Sequence, residues 1–325
     1  MVLLACTGVS AQEADEVETG AYQPVLEEVI VTAQRREEPL QNVPISVTVI
    51  SGERVREGEI MNIGDVAAET PNFVFTRFNV GEPQYYIRGI GSTNDSAAAD
   101  PSVGVFIDDV YIGRTGGTAT DMFDIERVEV VRGPQGTLFG KNVVGGAVSI
   151  YTQKPSPEFE SRWGLTVGND DLLMFRGLLN GKLTDSLAGK ISVSAQRRDG
   201  YVDNVIDGLD YMDQDNLSLR SQLGFTPTSD LDVLFGVDYS KDEGNGNCRN
   251  VNNLDLNDPL GLAFLYPPVI ESTTGGDLRK CASSAPAGQE REVYGALLRI
   301  DWRFADLDFK SITAYPVSYT HLRAH

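Results

Sequence analysis

The sequence predicts a small α+β globule followed by an incomplete antiparallel transmembrane β-barrel, and three observations carry that expectation. Residues 42–155 mix short β-branched runs with glycine-rich turns and brief helical signals. From Phe159 onward the pattern changes to long alternating segments whose connections are short and long in turn. No stretch approaches the roughly eighteen consecutive apolar residues of a membrane helix, so any span must be built from strands closed into a barrel. The chain has 325 residues, 41% of them hydrophobic, which puts it in no disordered or fibrous class.

Residues 1–11 read as the back half of a secretory signal: an apolar run ends at Val9, Ser10 and Ala11, a small-residue cleavage site, and acidic residues follow. Leu3, Leu4, Ala5 and Cys6 also have the look of a lipoprotein signal, with Cys6 acylated. The apolar run continues past Cys6, which favours its removal with the signal. Residues 12–41 form an N-terminal arm that opens acidic and poor in aromatics and carries one short apolar strand, made of Glu28, Val29, Ile30, Val31, Thr32 and Ala33.

Within 42–155, strands are expected at 45–50, 85–89, 104–110, 127–132 and 147–152, with a helix at 62–67 and a helical turn at 120–125. Val128, Val130 and Val131 are β-branched, Gly133 and Pro134 stop that run, and Ala147 restarts an alternating strand. Gly89, Gly133, Gly136, Gly140, Gly145 and Gly146 mark turns where the backbone is expected to take φ > 0 or to approach another surface closely. A phosphate loop is excluded, because Gly136 and Gly140 enclose three residues rather than four and Asn142 follows Lys141. A strand follows in place of a helix, so no helix N-terminus is offered to a phosphate. Gly89 and Gly91 lack the third glycine of a dinucleotide fingerprint.

The run DIERVEVVRGPQGTLFGKNVVGGAVSIYTQKP, from Asp124 to Pro155, resembles the end of the plug domain in TonB-dependent outer-membrane receptors. PQYYIRGIGS from Pro83 and GVFIDDVYIGR from Gly104 are similar to the same domain, so the likeness covers Glu28 to Pro155. The resemblance makes 42–155 a plug domain and residues 28–33 a TonB box, an unpaired β-former on a loose tether. In use such a box adds itself as a strand to the periplasmic domain of TonB, which an inner-membrane complex energises. Arg88 and Arg132 match plug arginines that pair with barrel glutamates in this family, an ionic lock between plug and barrel. Phe78, Asn79, Asn94 and Arg114 lie on the apices expected to face a ligand. The implied activity is energy-coupled import of a scarce small molecule, an iron-siderophore, vitamin or carbohydrate, across the outer membrane, with plug and box on the periplasmic side. A signalling receptor of this architecture needs a further globular domain before the box, and a passive porin or surface-binding protein would lack a folding plug. Absence of histidine before residue 321 counts against a haem receptor.

Residues 156–315 are read as the first barrel strands, at 162–168, 172–182, 187–198, 216–226, 231–241, 292–303 and 307–315. Each is near the ~9 to 11 residues a tilted membrane strand needs. Turns at 183–186, 227–230 and 305–306 are short and connections at 199–215 and 242–291 are long; 169–171 breaks the alternation. About seven strands leave open edges in lipid, and plugged transporters have ~22. Residues 316–325 follow a proline, lose the pattern and hold both histidines, so they read as a non-native tail. Cys248 and Cys281 lie in one long polar segment and are expected to bridge it, worth on the order of 3 to 4 kcal/mol by loop entropy.

No catalytic group or cofactor is expected. With His321 and His325 of the tail set aside, a Ser-His-Asp or Cys-His relay has no base. Two cysteines alone do not make a zinc site. Asp108 and Asp109 are adjacent on a predicted strand, so their carboxylates diverge. Asp203, Asp207, Asp210, Asp213 and Asp215 lack the spacing of a calcium loop and read as a solvated segment. A formal charge of −20 argues against nucleic acid as a partner.

Overall fold

The computed structural model describes residues 30–32, 38–57, 60, 62–79, 82–92, 100–113, 123–248, 277, 279–282, 288–304 and 307–322. The N-terminal part opens with two short strands, β1 (Ile30–Val31) and β2 (Glu38–Pro39), and continues with β3 (Ser46–Ser51) and two helices, α1 (Gly52–Arg56) and α2 (Ile63–Glu69). Then come β4 (Phe73–Asn79), β5 (Glu82–Ile87), β6 (Ile90–Gly91), β7 (Val103–Ile107), β8 (Val110–Tyr111) and β9 (Ile125–Arg132). A helical turn α3 (Gly136–Phe139) and β10 (Gly146–Thr152) complete it. Asn62 starts α2 because its side chain accepts from Gly64 N while Asp65 accepts from Asn62 N, a reciprocal cap.

The central sheet runs β3-β9-β10-β7-β8, with β10 parallel to β7 and antiparallel to β9. Every residue of β10 is buried, as a strand covered on both faces requires. Alternation sorts the two faces. Val128, Val130, Val148 and Ile150 pack with Ile63 and Val66 of α2 and with Phe73 and Ile87. Val131 and Ala147 turn the other way, toward Val31, Val43, Phe106, Phe139 and Val143.

After β10 the chain builds an antiparallel sheet of long strands: β11 (Glu160–Val167), β12 (Leu173–Thr184) and β13 (Leu187–Arg198), then an excursion through β14 (Val202–Asn204) and β15 (Asp210–Tyr211). It resumes with β16 (Gln214–Thr228) and β17 (Leu231–Gly244), passes β18 (Lys280–Cys281), and ends with β19 (Gln289–Phe304), β20 (Leu307–Ala314) and β21 (Val317–Leu322). Its burial is inverted relative to a water-soluble sheet. Trp163, Leu165, Ile191, Leu219, Phe225 and Phe235 are exposed, whereas Asn180, Lys190, Ser192, Ser194 and Gln222 are buried against the first domain. Apolar-out and polar-in at period two is the pattern of a strand facing lipid on one side.

Several expectations are corrected. The strand expected at 85–89 ends at Ile87, because Arg88 and Gly89 take φ of 54° and 76° and form the turn into β6. The strand expected at 104–110 is a hairpin: Asp108 and Asp109 both have positive φ (47° and 69°), which short polar side chains tolerate. β4 was not anticipated. Gly136 needs neither positive φ nor close approach, since it opens α3 with nothing within 4 Å of its Cβ position. The strand pattern expected to stop at residue 315 continues in register with β19 from Val317 to Leu322. Pro316 permits this because the Tyr315–Ala296 pair makes both ladder bonds, which leaves the missing N–H of Pro316 directed away from β19.

Cys248 and Cys281 are bridged, with Cα atoms 5.9 Å apart and a sequence separation of 33. The bridge packs with Val202 and Tyr211 in a small cluster beside the β15-β14-β18 sheet. Carboxylates of this segment serve local backbone: Asp207 accepts from Leu209 N and Asp213 from Asn245 N. Replacing both cysteines by Ser is expected to destabilise this cluster by about 3 to 4 kcal/mol, seen as faster proteolytic cleavage within 199–288 while the long strands remain protected.

Candidate functional site

One site is built on the face of the central sheet that carries Arg127, Glu129 and Val131 of β9 and Ala147 and Tyr151 of β10, spaced by two so that their side chains point together. Against it lies β1. Ile30 pairs with Pro39 and Val31 with Glu38, and the Val31 side chain is fully buried in the cluster around Phe106 and Val131. The segment expected to be unpaired is therefore docked: Val31 fills the hydrophobic face, while Ile30 stays exposed.

The docking ends in a polar latch. Thr32 N donates to both carboxylate oxygens of the fully buried Glu129, at 3.0 and 3.2 Å, and the Thr32 hydroxyl lies within hydrogen-bond distance of Glu129 and of the Tyr151 hydroxyl. Arg127 neutralises Glu129 through Nε at 2.9 Å and stacks 4.0 Å from the Tyr151 ring centroid. Burial first, then the Asp109 and Glu129 carboxylates, push the Tyr151 hydroxyl well above its ordinary pKa, so it stays a proton donor, here to Asp109 at 3.3 Å. Glu28, Val29 and Ala33 lie outside the described residues.

A second set of contacts joins the first domain to the long-stranded sheet. Asp124 is buried; its Oδ2 receives Lys190 Nζ at 2.8 Å and Ser192 Oγ at 2.9 Å, and its Oδ1 receives Arg220. Burial alone would raise this carboxyl, but Arg220 and Lys190 outweigh it and hold it well below the usual carboxylate range. Stability from Asp124 is therefore fully present above the ordinary value of 3.8 and is lost progressively as pH falls below it toward the depressed folded-state value. Acidification from pH 7 to pH 5 is therefore expected to leave this contact closed, with unchanged protection of the neighbouring backbone amides in hydrogen exchange. Beside it, the guanidinium groups of Arg162 and Arg176 lie 5.8 and 5.9 Å from the ring centroid of Phe123.

The β7–β8 turn makes a further contact, from Asp109 to Lys310 at 3.3 Å and Arg299 at 3.6 Å, while Asp108 accepts from Thr152 N and Oγ1. A cavity of about 210 Å³ lies between this turn, Phe123, Asp124, Gly236 and Gly295.

The barrel carboxylates expected to pair with Arg88 and Arg132 are not among the described residues. Arg132 donates to Pro71 O at 3.2 Å and the Arg88 guanidinium lies over Gly133, and among the described residues neither makes an ion pair. The ionic contacts present have the opposite polarity, with carboxylates on the first domain and cations on the sheet. Sequence reasoning missed Asp124, Lys190 and Arg220, which are separated by 66 and 96 residues and carry no local signal. Phe78 and Asn79 fall at the end of β4, where Asn79 pairs with Glu82 across a register shift; Asn94 and Arg114 lie outside the described residues.

Residues 39–147 match the family described as TonB-dependent Receptor Plug Domain. The ferripyoverdine receptor of Pseudomonas aeruginosa is 25% identical over 70% of this chain and 27% of its own length. The vitamin B12 transporter BtuB of Vibrio vulnificus is 25% identical over 93% of this chain and 58% of its own. The ferric yersiniabactin uptake receptor FyuA from Yersinia pestis superposes with a TM-score of 0.70 at 22% identity, covering 85% of this chain and 41% of that one. The chain thus spans between about a quarter and three fifths of the length of these three proteins.

Proposed function

Residues 39–147 belong to the plug domains of TonB-dependent receptors and lead into strands with the barrel fold of those receptors, and from that premise we propose that the protein is an energy-coupled importer of the outer membrane. Its cargo is a scarce chelate or vitamin of the kind named for its relatives, a ferric siderophore or a cobalamin. Plug and box face the periplasm, and residues 28–33 are the box that TonB grasps. Phe78, Asn79, Asn94 and Arg114 would line the ligand side, and Arg88 and Arg132 would meet barrel carboxylates.

The observation that supports this most is the way β1 is held. Two ladder residues, one buried Val31 and one charge-assisted bond at Thr32 make a contact tight enough to hide the strand and small enough to exchange for a pairing with TonB. Peptide 26–38 is expected to bind the isolated periplasmic domain of TonB in calorimetry; no binding would remove the energy-coupling arm of the reading. Uptake is tested with radiolabelled ferripyoverdine, ferric yersiniabactin and vitamin B12 in cells that lack their own receptors.

Glu129→Gln tests the latch. It keeps the size of the side chain and removes the charge that Thr32 N and Arg127 share. Losing part of a charge-assisted bond, about 1.5 kcal/mol, is expected to raise the affinity of the unliganded receptor for TonB roughly tenfold. Equal affinity in co-precipitation would mean that Glu129 does not hold the box.

A further inference from the structure

The long-stranded sheet stands off from the first domain where its inward positions are small. Alternate residues of a strand share a face, and the row that carries Arg220 and the buried Gln222 on β16 also carries Ser218. Across the ladder the same face holds Gly236, Asp238 and Ser240 of β17 and Gly295 of β19. Serine and glycine reach a short way inward, and the cavity of about 210 Å³ is the space they leave beside Asp108 and Asp124. Gly295 also makes room for a charge: a Cβ there would lie 3.0 Å from Asp238 Oδ1, so the Asp238 carboxylate leans over the glycine along the cavity lining.

Two acceptors on this lining have no donor among the described residues. Asp238 makes neither a hydrogen bond nor an ion pair there, because Arg220, its cross-strand neighbour, is drawn to Asp124. Gln222 is 2% exposed, and its Oε1 accepts no hydrogen bond. The amide orientation is fixed by its neighbours. Thr152 Oγ1 donates to Asp108 Oδ2 at 2.7 Å, so its 3.0 Å bond with Gln222 requires Gln222 Nε2 as the donor, which leaves Oε1 the bare atom. A buried acceptor without a donor is costly. Charge points the same way, since the carboxylates of Asp108, Asp124 and Asp238 face only two cations, Arg220 and the Lys190 that holds Asp124. Among the described residues no three carboxylate, histidine or cysteine groups converge as metal ligands, so the species that fits carries one positive charge and keeps part of its water shell.

We propose that this cavity binds one partly hydrated monovalent cation, sodium, potassium or ammonium, with Gln222 Oε1 and the Asp238 carboxylate as its protein acceptors, met directly or through one water. The ion satisfies Gln222 and balances the charge between the first domain and the sheet. The site does not rest on the importer reading.

The probe is the sodium ion alone, read by its NMR relaxation in a solution of the full chain in non-ionic detergent, with N-methylglucamine chloride holding the ionic strength constant. Excess sodium relaxation is expected that potassium and ammonium displace and N-methylglucamine, too bulky for the cavity, does not. Asp238→Asn keeps the shape and removes the charge, and is expected to weaken sodium binding roughly tenfold. Gln222→Met keeps the volume and removes the bare acceptor, and is expected to weaken it about threefold. Asp185→Asn takes the same charge from a fully exposed side chain and should change nothing. Equal relaxation in wild type, Asp238→Asn and Gln222→Met overturns the proposal and leaves the cavity to water. A loss confined to one of those two variants overturns the paired acceptors, and an equal loss in Asp185→Asn, or displacement by N-methylglucamine, assigns the signal to ions at the surface and overturns it as well.

Discussion

Val31→Pro is expected to reduce the proposed import to background, a loss of at least about a hundredfold, with insertion and any cargo binding at the cell surface retained. Two physical effects converge on this residue. Proline removes the N–H that a strand at this position offers to any partner, so pairing with TonB loses a ladder bond and the fixed φ resists the extended geometry. It also removes a side chain that is fully buried among Phe106, Val131 and Val143. Val31→Ala separates the two, because it keeps the N–H and loses only the burial. That variant is expected to import within a fewfold of wild type, with a box more often undocked. If both variants were equally dead, burial rather than pairing would be the requirement; if Val31→Pro imported normally, energy coupling through this segment would be wrong.

Gly146→Ala is expected to unfold the plug while leaving the barrel strands intact. A Cβ at this position would lie 2.3 Å from Val131 O and 2.8 Å from Ile87 Cδ1, and φ is +154°. The obstructing atom is backbone of β9, locked in the ladder through the Ala147–Val131 pair, so it has nowhere to move. We expect a cost of about 3 to 5 kcal/mol, the sum of strained backbone and an opened central ladder. Rapid tryptic cleavage between residues 42 and 152, with the long strands 160–198, 214–244 and 289–304 still protected, is the readout. Gly136→Ala is the matched control: open space surrounds it at the start of a helical turn, so it should be neutral or stabilising by about half a kcal/mol. Equal protection of the two variants would refute the steric argument.

What the sequence made legible follows the range of the forces involved. Alternating β-branched residues placed β9, β10 and the long strands to within a few residues, because period two is set by local geometry and by which face meets lipid. Asn62 announced α2 since its cap partners lie within three residues. The Asp108 and Asp109 turn misled because both residues are acidic and sit between apolar runs, which reads as one strand. Their positive φ is a property of the hairpin and leaves no periodic trace. The plug–wall contacts were least legible. Asp124 meets Lys190 and Arg220 only after two domains have formed, and any of the other carboxylates of so acidic a chain would have served equally well on paper. Docking of β1 was hidden for a similar reason: Glu129 looked like one charge in a strand until Thr32, 97 residues away, was brought against it.

Pro316 carries a consequence for whatever lies along the far side of β20 and β21. Its ring faces the inner side among the cavity-lining residues, next to Ala314 and Ser318, and its absent N–H belongs to the edge turned away from β19. A neighbouring stave that pairs there finds one rung missing and must bulge or go unbonded at that height. The missing rung falls at the height where the cavity of about 210 Å³ already parts this sheet from the first domain, so hydrogen bonding and packing are both thinnest there.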